Sequence, residues 1–361
     1  DTIAYGGLIP SRRSPDSLEE IKARLNRLKP LLKNKKVYAF SSIMRISNNN
    51  YNEEEKEYWK DWGKKIFEYS YSGVNDGIPR AILDDYLATR KRNFEINKTY
   101  LNWGLNTLIF SKDDCAPKGF NVNEARELER LGAKTKTGAD EIPLTLLARA
   151  IEKEIKVFVE FTEPDYKDCI SNYEDVSIEK SVQGQLELGG FTQVLTREEA
   201  DIILVVNNFV ERQGEHVMGW TTQPFRKTFT PPDEPYAVAD VRYANGADND
   251  FVVQILQDFP AYGYAGWNTS ANTLGSLLAG VKVKWNAKKY SDKAFRKLQM
   301  IRLLDDWAYQ ANVRINGETP QLEDLMKPYE ERLTRYLEFK PVNPITYSYP
   351  WKRSFEIEVS L

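Results

Sequence analysis

Hydrophobic and polar positions alternate along the chain in a repeating order. Short runs rich in β-branched and aromatic residues end in Gly, Asn, Asp or Ser, and amphipathic stretches with helical spacing follow. The runs are "TIAYGGL", "KVYAFSS", "NTLIFSK", "AKTKTGA", "KVFVEFT", "DIILVVNN", "YAVADVRY" and "YGYAGWN". The helical stretches include "SLEEIKARLNRLKPLLK", "NEARELERLG", "IPLTLLARAIEKEI", "SIEKSVQGQLELGG", "DFVVQILQDF" and "NTLGSLLAG". Several runs are apolar on both faces, as buried parallel strands are, so the pattern predicts an α/β fold with crossover helices. Eight runs suit a closed (β/α)8, TIM-barrel-like arrangement, with functional groups at the C-terminal ends of the strands. A doubly wound open parallel sheet is the competing arrangement. No glycine-rich dinucleotide fingerprint or P-loop accompanies it.

The rhythm also suggests boundaries. Residues 1–282 read as the barrel-like domain, with a polar, helix-prone insertion at about 48–100. Residues 283–361 read as a mainly helical appendage. It holds one long amphipathic helix, "SDKAFRKLQMIRLLDDWAYQANVRI", and a second, "QLEDLMKPYEERLTRYLEF", interrupted near Pro328. The alternating tail "YPWKRSFEIEVSL" reads as a terminal strand.

Composition narrows the chemistry. Acids (53) and bases (50) nearly cancel, which gives no basic surface for nucleic acid. The single histidine, His216, rules out a His-rich metal site, and Cys115 and Cys169 are too few for a cysteine-based zinc site. Chemistry therefore falls to carboxylates, tyrosines, asparagines and arginines. An aromatic content of 12% suits either a ring-shaped ligand or an aromatic core. No apolar run is long enough to span a bilayer and no secretory signal is visible, so no membrane partner is expected. A cytoplasmic location is favoured, and a secreted one stays open because the chain starts at Asp1 rather than Met.

The leading candidates follow strands. Asp113 and Asp114 stand side by side where "NTLIFSK" ends. Neighbouring side chains on a strand point apart, and two close carboxylates raise one pKa, which makes a proton donor near neutral pH. The bland alternative is a turn that caps the next helix. Glu141 stands at a comparable strand end, and Asp140 beside it has the position of an N-cap. Asp240 is an acid inside an apolar run, with Arg242 two residues on as its expected partner. Trp267 could stack on a sugar face, with Asn268 and Asn272 presenting amides to hydroxyls. Tyr5, Arg12 and Arg45 are further ligand contacts, each following or within an expected strand. Arg302 and Asp306 are spaced to pair on one helix face. Cys115 is next to the acid pair, but a nucleophile without a nearby base is a weak reading.

Several blocks, taken together and in order, resemble the bacterial domain of unknown function 4127 family. They are "AYGGLIPSR", "SKDDCAPKG", "GADE", "NYEDVSIEKSV", "AYGYAGWNTSANTLG", "LLDDWAYQANVR" and "PWKRSFEIEV". The resemblance implies no settled activity. It also implies a preceding segment, with a strand ending in an Asp- and Arg-rich motif, that this chain lacks and that would be its partner. Over the short stretches "DD" and "GWNTSAN", the chain is loosely similar to barrel hexosaminidases that use the substrate's own acetamido group.

Three function classes follow. The first is a carboxylate-dependent glycoside hydrolase acting on an oligosaccharide, an N-acetylhexosaminide among the candidates, with Asp113, Asp114 and Glu141 catalytic and no cofactor. The second is a divalent-cation enzyme whose Mg, Mn or Ca is held by Asp113, Asp114, Glu141 and Asp240. The third is a non-catalytic carbohydrate- or partner-binding protein.

Overall fold

The computed structural model describes residues 1–257, 260–287 and 291–361. By internal contacts the chain forms two compact units. The first comprises Asp1–Ile142 with Tyr173–Asp175, and the second Pro143–Asn172 with Val176–Leu361. Residues 283–361, expected as an appendage, belong to the second unit together with the strands that precede them.

The first unit opens with three helices, α1 (Thr2–Tyr5), α2 (Leu8–Arg13) and α3 (Leu18–Leu28). A capping box starts α3: Ser17 accepts from Glu20 N–H, and the Glu20 carboxylate accepts from Ser17 N–H. Its apolar face, Ile21 and Leu25, is buried one turn apart. Then come β1 (Tyr38–Ile43), α4 (Trp59–Ser72), α5 (Arg80–Leu101), β2 (Thr107–Lys112), α6 (Phe120–Arg130) and β3 (Lys134–Thr137). The three strands form one parallel sheet in the order β1-β2-β3. Register aligns Ile43 with Lys112 and Lys112 with Thr137, so all three strands end on one edge. Ile43 and Phe110 of the sheet pack with Ile21, Leu25, Ile96 and Leu128 of the helices. The α4–α5 insertion has its own cluster around Trp59, Ile66 and Tyr86.

The second unit runs through α7 (Ile142–Ala150, its first residue counted with unit one), β4 (Lys156–Phe161), α8 (Ile178–Gly189), β5 (Thr192–Gln193), β6 (Ile202–Asn207), β7 (Tyr236–Asp240), α9 (Asn249–Ile255), β8 (Gly263–Ala265) and α10 (Ser270–Asn286). It continues with α11 (Asp292–Arg302), a wide π-helical stretch (Leu303–Val313), α12 (Leu322–Tyr336) and an antiparallel pair, β9 (Thr346–Ser348) and β10 (Glu358–Ser360). Its five-stranded parallel sheet has the order β5-β4-β6-β7-β8. Every residue of β6 and β7 is buried. Their side chains alternate between two cores. Ile203, Val205 and Val238 face α9, the π-helical stretch and α12, while Leu204, Val206 and Ala239 face α8 and α10. Counted within the unit, the order is second-first-third-fourth-fifth with helices on both faces, which is a doubly wound sheet.

The α/β class with parallel sheets is therefore as expected. The strands do not join into one closed barrel; they form two open parallel sheets, one in each unit, as the competing arrangement has it. Eight parallel strands are present among the described residues, three and five, but "TIAYGGL" is not one of them: it is the short helix α1, ended by Gly6 at φ 92°, and the strand Thr192–Gln193 stands outside the expected runs. An apolar run this short fits either period. The second C-terminal helix, Leu322–Tyr336, runs through Pro328 rather than being interrupted there. The tail contributes a strand only at Glu358–Ser360, because Pro350–Lys352 forms a tight 3-10 turn. The expected helix "DFVVQILQDF" is helical over Asn249–Ile255; Asp258 and Phe259 lie outside the described residues.

Candidate active site

In the first unit, α2 and the segments that leave β1 and β2 bring together two arginines and four carboxyl groups. Arg12, on α2, is 2% exposed. Its Nε lies 3.0 Å from Glu55 Oε1, its Nη2 3.4 Å from Glu54 Oε2 and its Nη1 3.8 Å from Asp113 Oδ2. Arg45 lies two residues past β1 and shares the same partners. Its Nε is 3.0 Å from Glu55 Oε1 and its Nη2 2.9 Å from Glu54 Oε2. Its Nη1 is 3.7 Å from Asp113 Oδ2 and 3.4 Å from Asp114 Oδ2. Ser47 Oγ donates to Asp114 Oδ2 at 3.3 Å. The loop carrying Arg45 is fixed from behind by Arg90, which donates to the Met44 and Arg45 carbonyls at 2.9 and 3.2 Å and pairs with Glu124 at 2.8 Å.

Solvent reaches the acid end of this group. The Asp113 side chain is 19% exposed and that of Asp114 32%, against 1% for Arg12. Desolvation, and next the neighbouring Asp113 carboxylate, push the Asp114 carboxyl up to about 6, while Arg45 pulls the other way. Asp114 also has φ 34°, a left-handed conformation that a non-glycine residue adopts at a cost. Four carboxyls facing two guanidiniums leave the group net negative, so it favours a neutral or cationic ligand over an anion. Arg12 is thus a buried partner of the acids rather than an arm for a phosphate or carboxylate.

Glu141 belongs to a different group on the same sheet edge. It is 1% exposed, and the Glu141 and Glu174 carboxylates act on Lys136, whose ammonium burial drives below its usual range. Lys112 pairs with Asp175, which also accepts from Thr137 Oγ1 at 2.6 Å and from the Cys115 thiol at 3.3 Å. Burial, then Asp175, raises the Cys115 thiol well above its normal range, so it is no nucleophile at neutral pH. Room for Glu141 depends on Gly138, whose φ is 98° and whose missing Cβ would come within 2.1 Å of Glu141 Oε1. Asp140 is exposed. Tyr5 is 7% exposed in the helical core, with Arg92 over its ring at 5.5 Å. So Arg12, Arg45, Asp113 and Asp114 come together, while Glu141, Asp140 and Tyr5 have other surroundings.

Asp240, Trp267, Asn268 and Asn272 belong to the second unit. Asp240 ends β7, is fully buried, and accepts from Asn207 Nδ2 at 2.9 Å, Asp248 N–H at 2.9 Å and Tyr264 Oη at 3.1 Å. Burial and then the Asp248 carboxylate raise it to about 7. Its expected partner, Arg242, instead pairs with Asp248 and Glu163, each at 3.1 Å, and donates to Asn207 Oδ1 at 3.2 Å. The reason is that β7 ends at Asp240, so the strand alternation linking 240 to 242 no longer applies. Thr162, Glu163 and Asn207 of this network leave or end β4 and β6, the pair between which the strand order reverses and where doubly wound sheets bind ligands. Trp267 and Asn268 are half-buried at the end of β8, and Asn272 is half-buried in the first turns of α10.

Sequence reasoning missed Glu54 and Glu55, which stand in an acidic run that reads as solvated surface, and Asp248, which reads as a helix cap and is one to Asp250 N–H. The Asn207–Asn208 pair closing an otherwise apolar strand was the visible signal for the β6 end. Among the described residues, no group of three or more His, Cys, Asp or Glu is arranged to hold a metal ion; of the four acids considered as ligands, Asp113 and Asp114 share Arg45, while Glu141 and Asp240 have other partners. No helix among them is long and apolar enough to cross a membrane.

No curated protein and no solved structure matches the chain. The family model described as "Protein of unknown function (DUF4127)" matches residues 1–360, so the chain belongs to that family.

Proposed function

We propose that the first unit carries the acid–base centre of a glycoside hydrolase. Asp114 would give its proton to the glycosidic oxygen as the bond breaks, and Asp113 would face the positive charge that develops on the sugar ring or orient a neighbouring acetamido group. Arg12 and Arg45 hold both acids in place. The observation that carries this reading is the pair itself. Two consecutive carboxyls at a strand end lie within reach of one guanidinium nitrogen, and one of them keeps its proton to about pH 6. The net negative surroundings suit a neutral sugar, and the fixed partners of Asp113 and Asp114 suit preorganised proton transfer.

The test is turnover of a panel of 4-nitrophenyl glycosides, N-acetylglucosaminide included, by the full chain and by Asp114→Asn. Release of nitrophenol that disappears in the variant supports the reading. No release from any member, or equal release by the variant, removes it. Release that a chelator abolishes replaces it with a metal-dependent mechanism.

A further inference from the structure

Helix α5 turns a polar stripe inward. Tyr86, Arg90, Asn93 and Asn97 recur at helical spacing and are all buried, where such a stripe is ordinarily apolar. Their polar groups hold the backbone that carries the two arginines of the first unit's site. Arg90 engages every N–H of its guanidinium. It donates to the Met44 and Arg45 carbonyls at 2.9 and 3.2 Å, to both Glu124 oxygens at 2.8 Å, and to Tyr86 Oη at 3.0 Å. Asn97 Nδ2 donates to the Ser42 carbonyl at 3.2 Å. Asn93 Nδ2 donates to the Ser11 carbonyl at 2.9 Å, and its Oδ1 accepts from Arg92 Nε at 3.1 Å. Arg92 in turn donates to the Ser11 and Ser14 carbonyls at 2.7 and 2.6 Å.

These bonds fall where regular structure ends. The β1–β2 ladder stops at Ile43, so the Met44 and Arg45 carbonyls lie beyond it. Ser11 stands in the last turn of α2, whose carbonyls have no intrahelical donor. Met44 and Ile46, on either side of Arg45, pack with Tyr86 in one cluster. Each arginine is therefore held at both ends. Glu54 and Glu55 take the guanidiniums of Arg12 and Arg45, and α5 takes the backbone at Ser11 and Arg45.

We infer that Arg90 and Asn93 are positioning residues of the acid pair: they fix the backbone of Arg45 and the residue before Arg12, and so keep both guanidiniums beside Asp113 and Asp114. The purpose of this arrangement rests on the reading of that pair as the working acids; its geometry does not. Burial and Asp113 raise the Asp114 pKa, while Arg45 and Arg12 both lower it. Loosening either arginine should therefore raise it further.

Carboxyl-detected NMR titration of Asp114 in the full chain, with no substrate present, tests this. Arg90→Lys keeps the charge but not the fork, and Asn93→Ser replaces one neutral group by a shorter one, so neither acts on Asp114 by a change of charge. Each should raise the Asp114 pKa by roughly half a unit or more. Ile96 is fully buried in the apolar contacts of the same helix. Ile96→Val, or Ile96→Ala where a larger loss of melting temperature must be matched, should leave Asp114 where it is. A shift in both polar variants with the Ile96 variant unmoved supports the inference. An unmoved Asp114 in either polar variant overturns it, as does an equal shift in the Ile96 variant, which would mean general loosening of α5. If Arg90→Lys does not fold, Asn93→Ser against the Ile96 variant decides alone. The outcome is separable from the glycoside panel: a shifted titration without nitrophenol release keeps the positioning role and removes the hydrolase reading, and release with an unmoved titration does the reverse.

Discussion

Arg45 Nη1 lies 3.7 Å from Asp113 Oδ2 and 3.4 Å from Asp114 Oδ2, so one nitrogen sets the balance between two acids. Asp113 raises the Asp114 pKa and Arg45 lowers it. Two substitutions should therefore move it in opposite directions. Asp113→Asn should bring Asp114 down from about 6, and Arg45→Gln should take it higher. Carboxyl-detected NMR titration of Asp114 reads both shifts. Movement in the same direction would mean that the two neighbours do not act on it as their geometry requires.

The activity proposed for the first unit needs Asp114 protonated. Turnover should fall as pH rises through about 6, the value at which Asp114 gives up its proton. Asp114→Asn should lower kcat by at least ~100-fold, the usual worth of a general acid, and leave the melting temperature close to that of the parent. A rate that instead climbs through pH 6 would contradict the donor role.

Several acids of the second unit have raised pKa values, and the sign of the effect on stability follows. Asp240 at about 7 and Asp305 at about 8 hold protons in the folded state that the unfolded chain releases near pH ~4. The stability they contribute is complete below that pH and is lost as pH climbs toward their folded values. Each group adds at most about 1.4 kcal/mol per pH unit to the decline. Urea unfolding across this range should show the loss, and Asp305→Asn should flatten it. An identical slope in the variant would show that Asp305 does not titrate in this window.

Arg242 is fully buried between Asp248 and Glu163, each 3.1 Å away, and also donates to the Gln223 carbonyl at 2.8 Å. Lysine cannot reproduce that fork. Arg242→Lys keeps the charge but cannot make all the forked contacts, so it should cost about 1–3 kcal/mol, the usual loss when a buried acceptor is left without its donor. Denaturant midpoints measure this directly.

Gly138→Ala should be more destabilising than an ordinary surface substitution. The new methyl would meet Glu141 Oε1 at 2.1 Å, and φ 98° is unfavourable for any side chain. Glu141 is 1% exposed and has little room to withdraw. A loss of at least ~2 kcal/mol is expected by thermal or urea unfolding.

Legibility in the sequence followed the reach of each interaction. Runs such as "DIILVVNN" and "YAVAD" declare buried strands because a strand covered on both faces is apolar almost throughout, polar only at its end. The pairing of strands into two sheets is set by long-range contacts that no window of sequence contains. The Asp113–Asp114 pair was legible because both acids follow a strand directly. Glu54 and Glu55 were not, since an exposed acidic run and one folded onto two arginines look the same in sequence. Asp240 was rightly seen as needing a partner. Its partners, Asn207 and Tyr264, lie on neighbouring strands rather than two residues along its own.

Tyr173–Asp175 returns to the first unit after the chain has already built β4 of the second. Those three residues supply the carboxylate for Lys112, the acceptor for Thr137 and the carbonyl for Cys115 N–H. A fragment cut after Ile142 would therefore leave Lys112, which is 7% exposed, without its Asp175 carboxylate. The first unit is thus discontinuous in sequence, completed by three later residues. Dissecting this protein for separate study calls for grafting those residues onto the first piece, not for a single cut.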